Sequence, residues 1–119
     1  MASNTQPARI LVVEDDPDIV YLLASALRAV GYRVNTAKRR DRAFDVLRRY
    51  RIDLIIADSV LRGGNGNAVA ARAGTREIPV ILISGEPDRI RSLGQGSIPF
   101  LAKPFPISTM LGLVKQLIG

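Results

Sequence analysis

The chain contains no cysteine and no histidine. Those two absences exclude thiol catalysis, histidine general bases and Cys/His zinc sites. No disulfide can staple it, and at 119 residues none is required, since a domain of that size buries roughly two-thirds of its unfolded surface. No apolar run approaches the ~20 residues of a membrane span. Met1-Ala2-Ser3-Asn4-Thr5-Gln6-Pro7 has neither a basic region nor an apolar core, so it does not read as a secretory signal. It reads as the start of a disordered lead over residues 1–8, followed by one domain over 9–119. These features fit a cytoplasmic protein.

Acidic residues are the minority charge. Eleven Asp and Glu stand against seventeen Lys and Arg, a net charge of +6. Many of the basic residues sit together: Lys38, Arg39, Arg40, Arg42, Arg48, Arg49 and Arg51. One reading is attraction to nucleic acid or to an acidic partner. The other is a solvated face of one amphipathic helix. The lack of aromatic residues interleaved for base stacking favours the second and speaks against nucleic acid. The charge can still speed encounter with an acidic partner.

What the chain has is a repeated alternation of strand and helix signals. Arg9 to Val13 reads as a buried strand. Asp16 can cap the next helix, with Pro17 at its first position, where a missing N–H costs nothing. Ile19, Leu22, Leu23, Ala26, Leu27 and Val30 recur at helical spacing, and Gly31 supplies the stop. A strand is expected over 33–37 and a helix over 41–50. Ala43, Val46, Leu47 and Tyr50 form the inner face of that helix, and Asp45 and Arg49 make an i,i+4 pair. Further strands are expected over 53–58, 79–83 and 98–102. Short helices are expected near 68–73 and 88–93, and a last helix over 107–118 with Met110, Val114 and Leu117 inward. The segment Gly63-Gly64-Asn65-Gly66 reads as a tight turn. It lacks the Lys-Ser/Thr ending of a phosphate-binding P-loop and does not follow the first strand. Nearly continuous apolar strands imply a sheet covered on both faces. Alternating strand and helix implies an α/β fold with a parallel sheet.

Four of these strands run into chemically distinctive residues. Ile10-Leu11-Val12-Val13 ends at Glu14-Asp15-Asp16. Leu54-Ile55-Ile56-Ala57 ends at Asp58, Val80-Ile81-Leu82-Ile83 at Ser84, and Phe100-Leu101-Ala102 at Lys103-Pro104. In open parallel sheets, ligands bind beyond the carboxyl ends of the strands. If the strands are neighbours, carboxylates, a hydroxyl and an ammonium converge there. Glu14, Asp15 and Asp58 are hard oxygen ligands of the kind that suits Mg²⁺. Without a cation they repel and raise each other's pKa.

In these four pieces, from about Arg9 onward, the chain resembles the receiver domain of two-component response regulators. The resemblance implies a flavodoxin-like, doubly wound sheet of five parallel strands in the order 2-1-3-4-5, with short third and fourth helices. It implies that Asp58 is the phosphoacceptor, charged from a phosphohistidine on a sensor histidine kinase or histidine phosphotransfer protein. Glu14, Asp15, Asp58 and the backbone carbonyl of Val60 would hold Mg²⁺. Lys103 would pair with a phosphoryl oxygen, and a cis peptide is expected between Lys103 and Pro104. Ser84 would donate to the phosphoryl group, and Phe100 occupies the place of the aromatic switch residue. Switching would reshape a face built by the fourth helix, fifth strand and fifth helix. That face would meet a downstream target protein or form a homodimer.

The chain also departs from the family's pattern. Arg62 stands where the family usually has proline, so that loop is expected to differ. The segments 65–77 and 85–97 are short for the family, which brings the usual output surface into question. Phe100 lacks the hydroxyl of a tyrosine switch. An enzyme is not expected beyond self-catalysed phosphoryl transfer and dephosphorylation. Two other readings are a receiver-like interaction module that is not regulated by phosphorylation, and a basic nucleic-acid-binding domain. Val60, apolar and two residues beyond Asp58, is placed to shield an acyl phosphate from water, so self-dephosphorylation should be slow. Phosphate release from the labelled chain should quicken in Val60→Asn; a fast rate untouched by that change would remove the idea.

Overall fold

Five strands form one parallel sheet: β1 (Arg9–Val13), β2 (Arg33–Ala37), β3 (Leu54–Asp58), β6 (Val80–Ser84) and β7 (Phe100–Ala102). Their spatial order is β2-β1-β3-β6-β7, which in chain order of the five is 2-1-3-4-5. A two-residue hairpin, β4 (Val60–Leu61) with β5 (Gly64–Asn65), lies between β3 and the helices that follow. Among the described residues the helices are α1 (Pro17–Ala29), α2 (Arg40–Arg49), α3 (Gly66–Gly74) and α4 (Ile107–Ile118). The computed structural model describes residues 6–61, 64–85 and 98–119, with backbone alone for 60–61 and 64–68.

The strands alternate their side chains between two apolar layers, as the period of two requires. Leu11, Val13, Ile55, Ala57 and Leu82 pack with Ala43 and Leu47 of α2 and Val69 and Ala73 of α3. Ile10, Val12, Leu54, Ile56, Ile81 and Ile83 pack with Leu23 and Leu27 of α1 and Met110 and Val114 of α4. β1, β3 and β6 lie inside the sheet and are buried on both faces, which is why Ile10–Val13, Leu54–Ala57 and Val80–Ile83 are unbroken apolar runs.

Local chemistry sets the ends of α1. The Asp16 side chain accepts the Asp18 N–H at 2.9 Å, and Pro17 opens the helix. Gly31 follows with φ +104°, a left-handed conformation that glycine adopts without strain. The expected apolar stripe is narrower than its spacing suggested. Leu22 and Val30 are 52% and 57% exposed, while Leu23, Ala24 and Leu27 are buried. Successive helical residues are rotated by about 100°, so Leu22 swings out when Leu23 points in.

Other differences have equally local causes. α2 spans Arg40–Arg49, and Tyr50 stands outside it with its ring exposed rather than on the inner face. Asp45 pairs with Arg48, three residues on, instead of Arg49. α3 begins at Gly66, earlier than expected, and Gly64–Asn65 form β5 where a turn was expected, while Gly63 lies outside the described residues. β7 begins at Phe100, not Ile98, since Pro99 has no N–H to give a ladder. Part of the expected lead is tied down: Arg33 donates through N–H to the Ala8 carbonyl (3.0 Å) and through Nε to the Pro7 carbonyl (3.1 Å). The helix expected over 88–93 and Arg62 lie outside the described residues.

This layering yields a contrast between two aliphatic residues. Ile56→Ala, in the central strand, should cost about 2–5 kcal/mol in urea unfolding, whereas Leu22→Ala should stay within about half a kcal/mol. Similar losses at the two positions would contradict the layer assignment.

Candidate functional site: an acidic pocket at the strand ends

Parallel strands deliver their last residues to a single edge. β1 delivers Glu14 and Asp15, β3 ends in Asp58, β6 ends in Ser84, and Lys103 follows β7. The registers set their relative heights: Val13 pairs with Ala57, Asp58 with Ile83, and Ser84 with Ala102. The Glu14 N–H donates to the Ala37 carbonyl at 3.0 Å, and the Lys103 N–H to the Ser84 carbonyl at 2.8 Å. Both residues are thus held by backbone bonds before their side chains are considered.

The side chains meet. Carboxylate oxygens of Glu14, Asp15 and Asp58 lie within 4.8 Å of one another. The Lys103 ammonium donates to Glu14 Oε1 at 3.1 Å and to Asp58 Oδ2 at 2.9 Å. Glu14 is 1% exposed and Asp58 8%, so these are largely desolvated charges. A peptide bond in the cis form joins Lys103 to Pro104, as expected. Gly85 lies against the lysine's stem: a Cβ there would stand 3.6 Å from Lys103 Cβ, ordinary contact.

The electrostatics follow from that crowding. Burial pushes the Glu14 carboxyl up from 4.5 to about 7, and the charge of Asp58 pushes the same way. The Asp16 N–H, donating to Glu14 Oε2 at 3.0 Å, and the Lys103 ammonium pull against this without overcoming it. For Lys103, burial acts downward. Its hydrogen bond to Asp58 and the charges of Glu14 and Asp58 outweigh burial and hold it above the usual lysine range. One ammonium therefore does not neutralise three clustered carboxyls. Hard oxygen donors in this number suit a divalent cation such as Mg²⁺.

Each expected site residue can now be located. Glu14, Asp15, Asp58 and Lys103 come together. Ser84 is 1% exposed at the end of β6. Phe100 is half-buried against the core layer that includes α2 and α3. The Val60 backbone lies in β4, two residues past Asp58, opposite Asn65. Two features went unread in the sequence. The Asp16 N–H supports Glu14, a role that a backbone group leaves no residue type to announce. Ser59, next to Asp58, is fully buried, and its hydroxyl has no partner among the described residues. A small hydroxyl after Asp58 was its only signal.

Comparison with known proteins agrees with this geometry. A model of the response regulator receiver domain matches residues 10–115. The phosphate regulon transcriptional regulatory protein PhoB of Klebsiella pneumoniae is 33% identical over 114 residues, covering 90% of this chain and 50% of PhoB. The chain thus spans about half the length of curated relatives that it matches. The signal receiver domain of an HD domain-containing protein from Pseudomonas fluorescens Pf-5 superposes with a TM-score of 0.87 at 25% identity, covering 99% of this chain and 91% of that one. The response regulator TrrA of Thermotoga maritima, solved in complex with Mg²⁺-BeF, gives a TM-score of 0.82 at 28% identity, covering 92% and 98%. With its family match, its sheet order and its acid pocket in place, this chain belongs to the response regulator receiver domains of two-component signalling.

Proposed function

We propose that this domain accepts a phosphoryl group on Asp58 from a phosphohistidine of a sensor histidine kinase or histidine phosphotransfer protein. The observation that carries the reading is the pairing of Lys103 with both Asp58 and Glu14 beside a three-carboxylate cluster. An Asp58 oxygen attacks phosphorus, the bond from phosphorus to the histidine nitrogen breaks, and the imidazole leaves with the electron pair. An acyl phosphate remains on Asp58. Such transfers depend on positioning and charge stabilisation more than on covalent machinery.

Glu14, Asp15, Asp58 and the Val60 carbonyl are the groups to hold Mg²⁺. When bound, the ion would neutralise charge on the transferred group and relieve the repulsion among the carboxylates. Lys103, already 2.9 Å from Asp58 Oδ2, is positioned to move its ammonium onto a phosphoryl oxygen. Ser84, at the end of the strand beside β3, is the residue to donate a hydroxyl to the new group. Phe100 on the adjacent β7 is the aromatic partner of that shift. The change would alter a face that meets a downstream target protein or a second copy of the domain. In this reading the domain is a signalling module whose chemistry is confined to its own phosphorylation and dephosphorylation.

Two measurements test the proposal. Incubation with Mg²⁺ and a small acyl phosphate should place one phosphate on Asp58, detected by intact mass. Asp58→Asn should abolish it. A wild-type chain that takes up no phosphate, with its fold intact, would leave an interaction module instead. The second test concerns pH. Glu14 titrates near 7 in the folded chain and near 4.5 when unfolded, so folding takes up a proton between those values. Stability of the metal-free chain should therefore fall as pH rises from about 5 to about 7.5 and then level. Glu14→Gln should flatten that slope in urea unfolding. A slope unchanged by the substitution would mean that Glu14 is not the group responsible.

A further inference from the structure

The stretch from Lys38 to Arg51 holds seven basic residues and only Asp41 and Asp45 as acids, a net +5 against +6 for the whole chain. Nearly all of the protein's charge excess is therefore local. The fold gathers it further. Lys38, Arg39, Arg42 and Arg49 line one cleft of about 500 Å³ between the end of β2 and α2, together with Val46 and Tyr50. The cleft's single acid, Asp45, is already ion-paired with Arg48. β2 is an edge strand, so this side of the sheet carries no further strand among the described residues. The cleft also adjoins the acid pocket: Ala37 lines it, and the Ala37 carbonyl accepts the Glu14 N–H at 3.0 Å.

We infer that this cleft docks a short acidic segment of a partner protein on the flank of the acid pocket. The inference is independent of whether Asp58 is phosphorylated. Charge complementarity favours a polyanion. The aromatic residues decide which one. Phe44 and Tyr50 do lie within the basic stretch, contrary to the view that none is interleaved, but each ring already carries an arginine of the same chain. The Arg72 guanidinium sits 4.6 Å from the Phe44 ring centre, and that of Arg9 sits 4.7 Å from the Tyr50 ring centre. Nucleic-acid grooves of this kind use aromatic rings as platforms for bases. Here those rings carry arginines, and the cleft offers cations beside an apolar Val46, a lining for carboxylates with an aliphatic side chain between them.

The test is a fluorescence anisotropy titration with a labelled dodecapeptide of Asp and Glu interspersed with Leu, at low salt. Wild type is compared with Arg42→Gln/Arg49→Gln in the cleft and with Arg28→Gln/Lys115→Gln outside it. Both doubles remove the same charge. The cleft double should lose about tenfold in affinity and the outside double less than about twofold. Amide shifts of the bound wild type should concentrate at Thr36, Val46 and Tyr50. Equal losses in the two doubles would mean diffuse attraction to net charge and would overturn the proposal. So would no binding, or tighter binding of an equally labelled DNA duplex under the same conditions.

Discussion

The ammonium of Lys103, set between Glu14 and Asp58, is the contact on which the rest of this structure turns. Two of the three carboxyls around it are almost fully buried. Desolvated charges of one sign are tolerable only with an opposite charge in hydrogen-bonding contact. The lysine provides that at two oxygens, yet one ammonium faces three carboxyls, and burial together with the charge of Asp58 still pushes Glu14 upward. The pocket is therefore built with a surplus of negative charge. A folded protein keeps such a surplus where binding, rather than stability, has shaped the site.

The sheet makes this arrangement possible. Parallel strands all finish on one side, so four distant parts of the sequence arrive together once the registers are set. The registers are in turn enforced by burial. A slip of one residue would exchange the two apolar layers, turning Ile10, Val12 and Ile56 toward α2 and α3 and Leu11 and Ile55 toward α1 and α4. Packing on the two faces therefore fixes where the charges meet at the edge.

Much of this was legible in the residues. β1, β3 and β6 carry unbroken apolar runs that end abruptly at Glu14, Asp58 and Ser84, so both the strands and the placement of those residues could be read directly. The start of α1 was equally plain, because Asp16 and Pro17 act on their own neighbours. What escaped depended on contacts between distant parts of the chain. Leu22 is apolar and correctly spaced, but the described residues leave it half exposed. Tyr50 looked like an inner-face residue until Arg9 was placed on its ring. The choice of Arg48 over Arg49 for Asp45 is a choice between two exposed partners at similar reach, which spacing cannot resolve. The burial of Ser59 depends on the elements packed around the end of β3.

Asp58 is mounted on β3, whose hydrogen-bonded neighbours on either side are β1 and β6. That ladder leaves Asp58 almost no room to yield. It behaves like an anvil: force delivered there passes outward instead of being absorbed. The sheet's margins are β2 and β7, each with a single neighbour, and β7 is the shorter at three residues. The sheet is thus braced most firmly at Asp58 and least at its two margins.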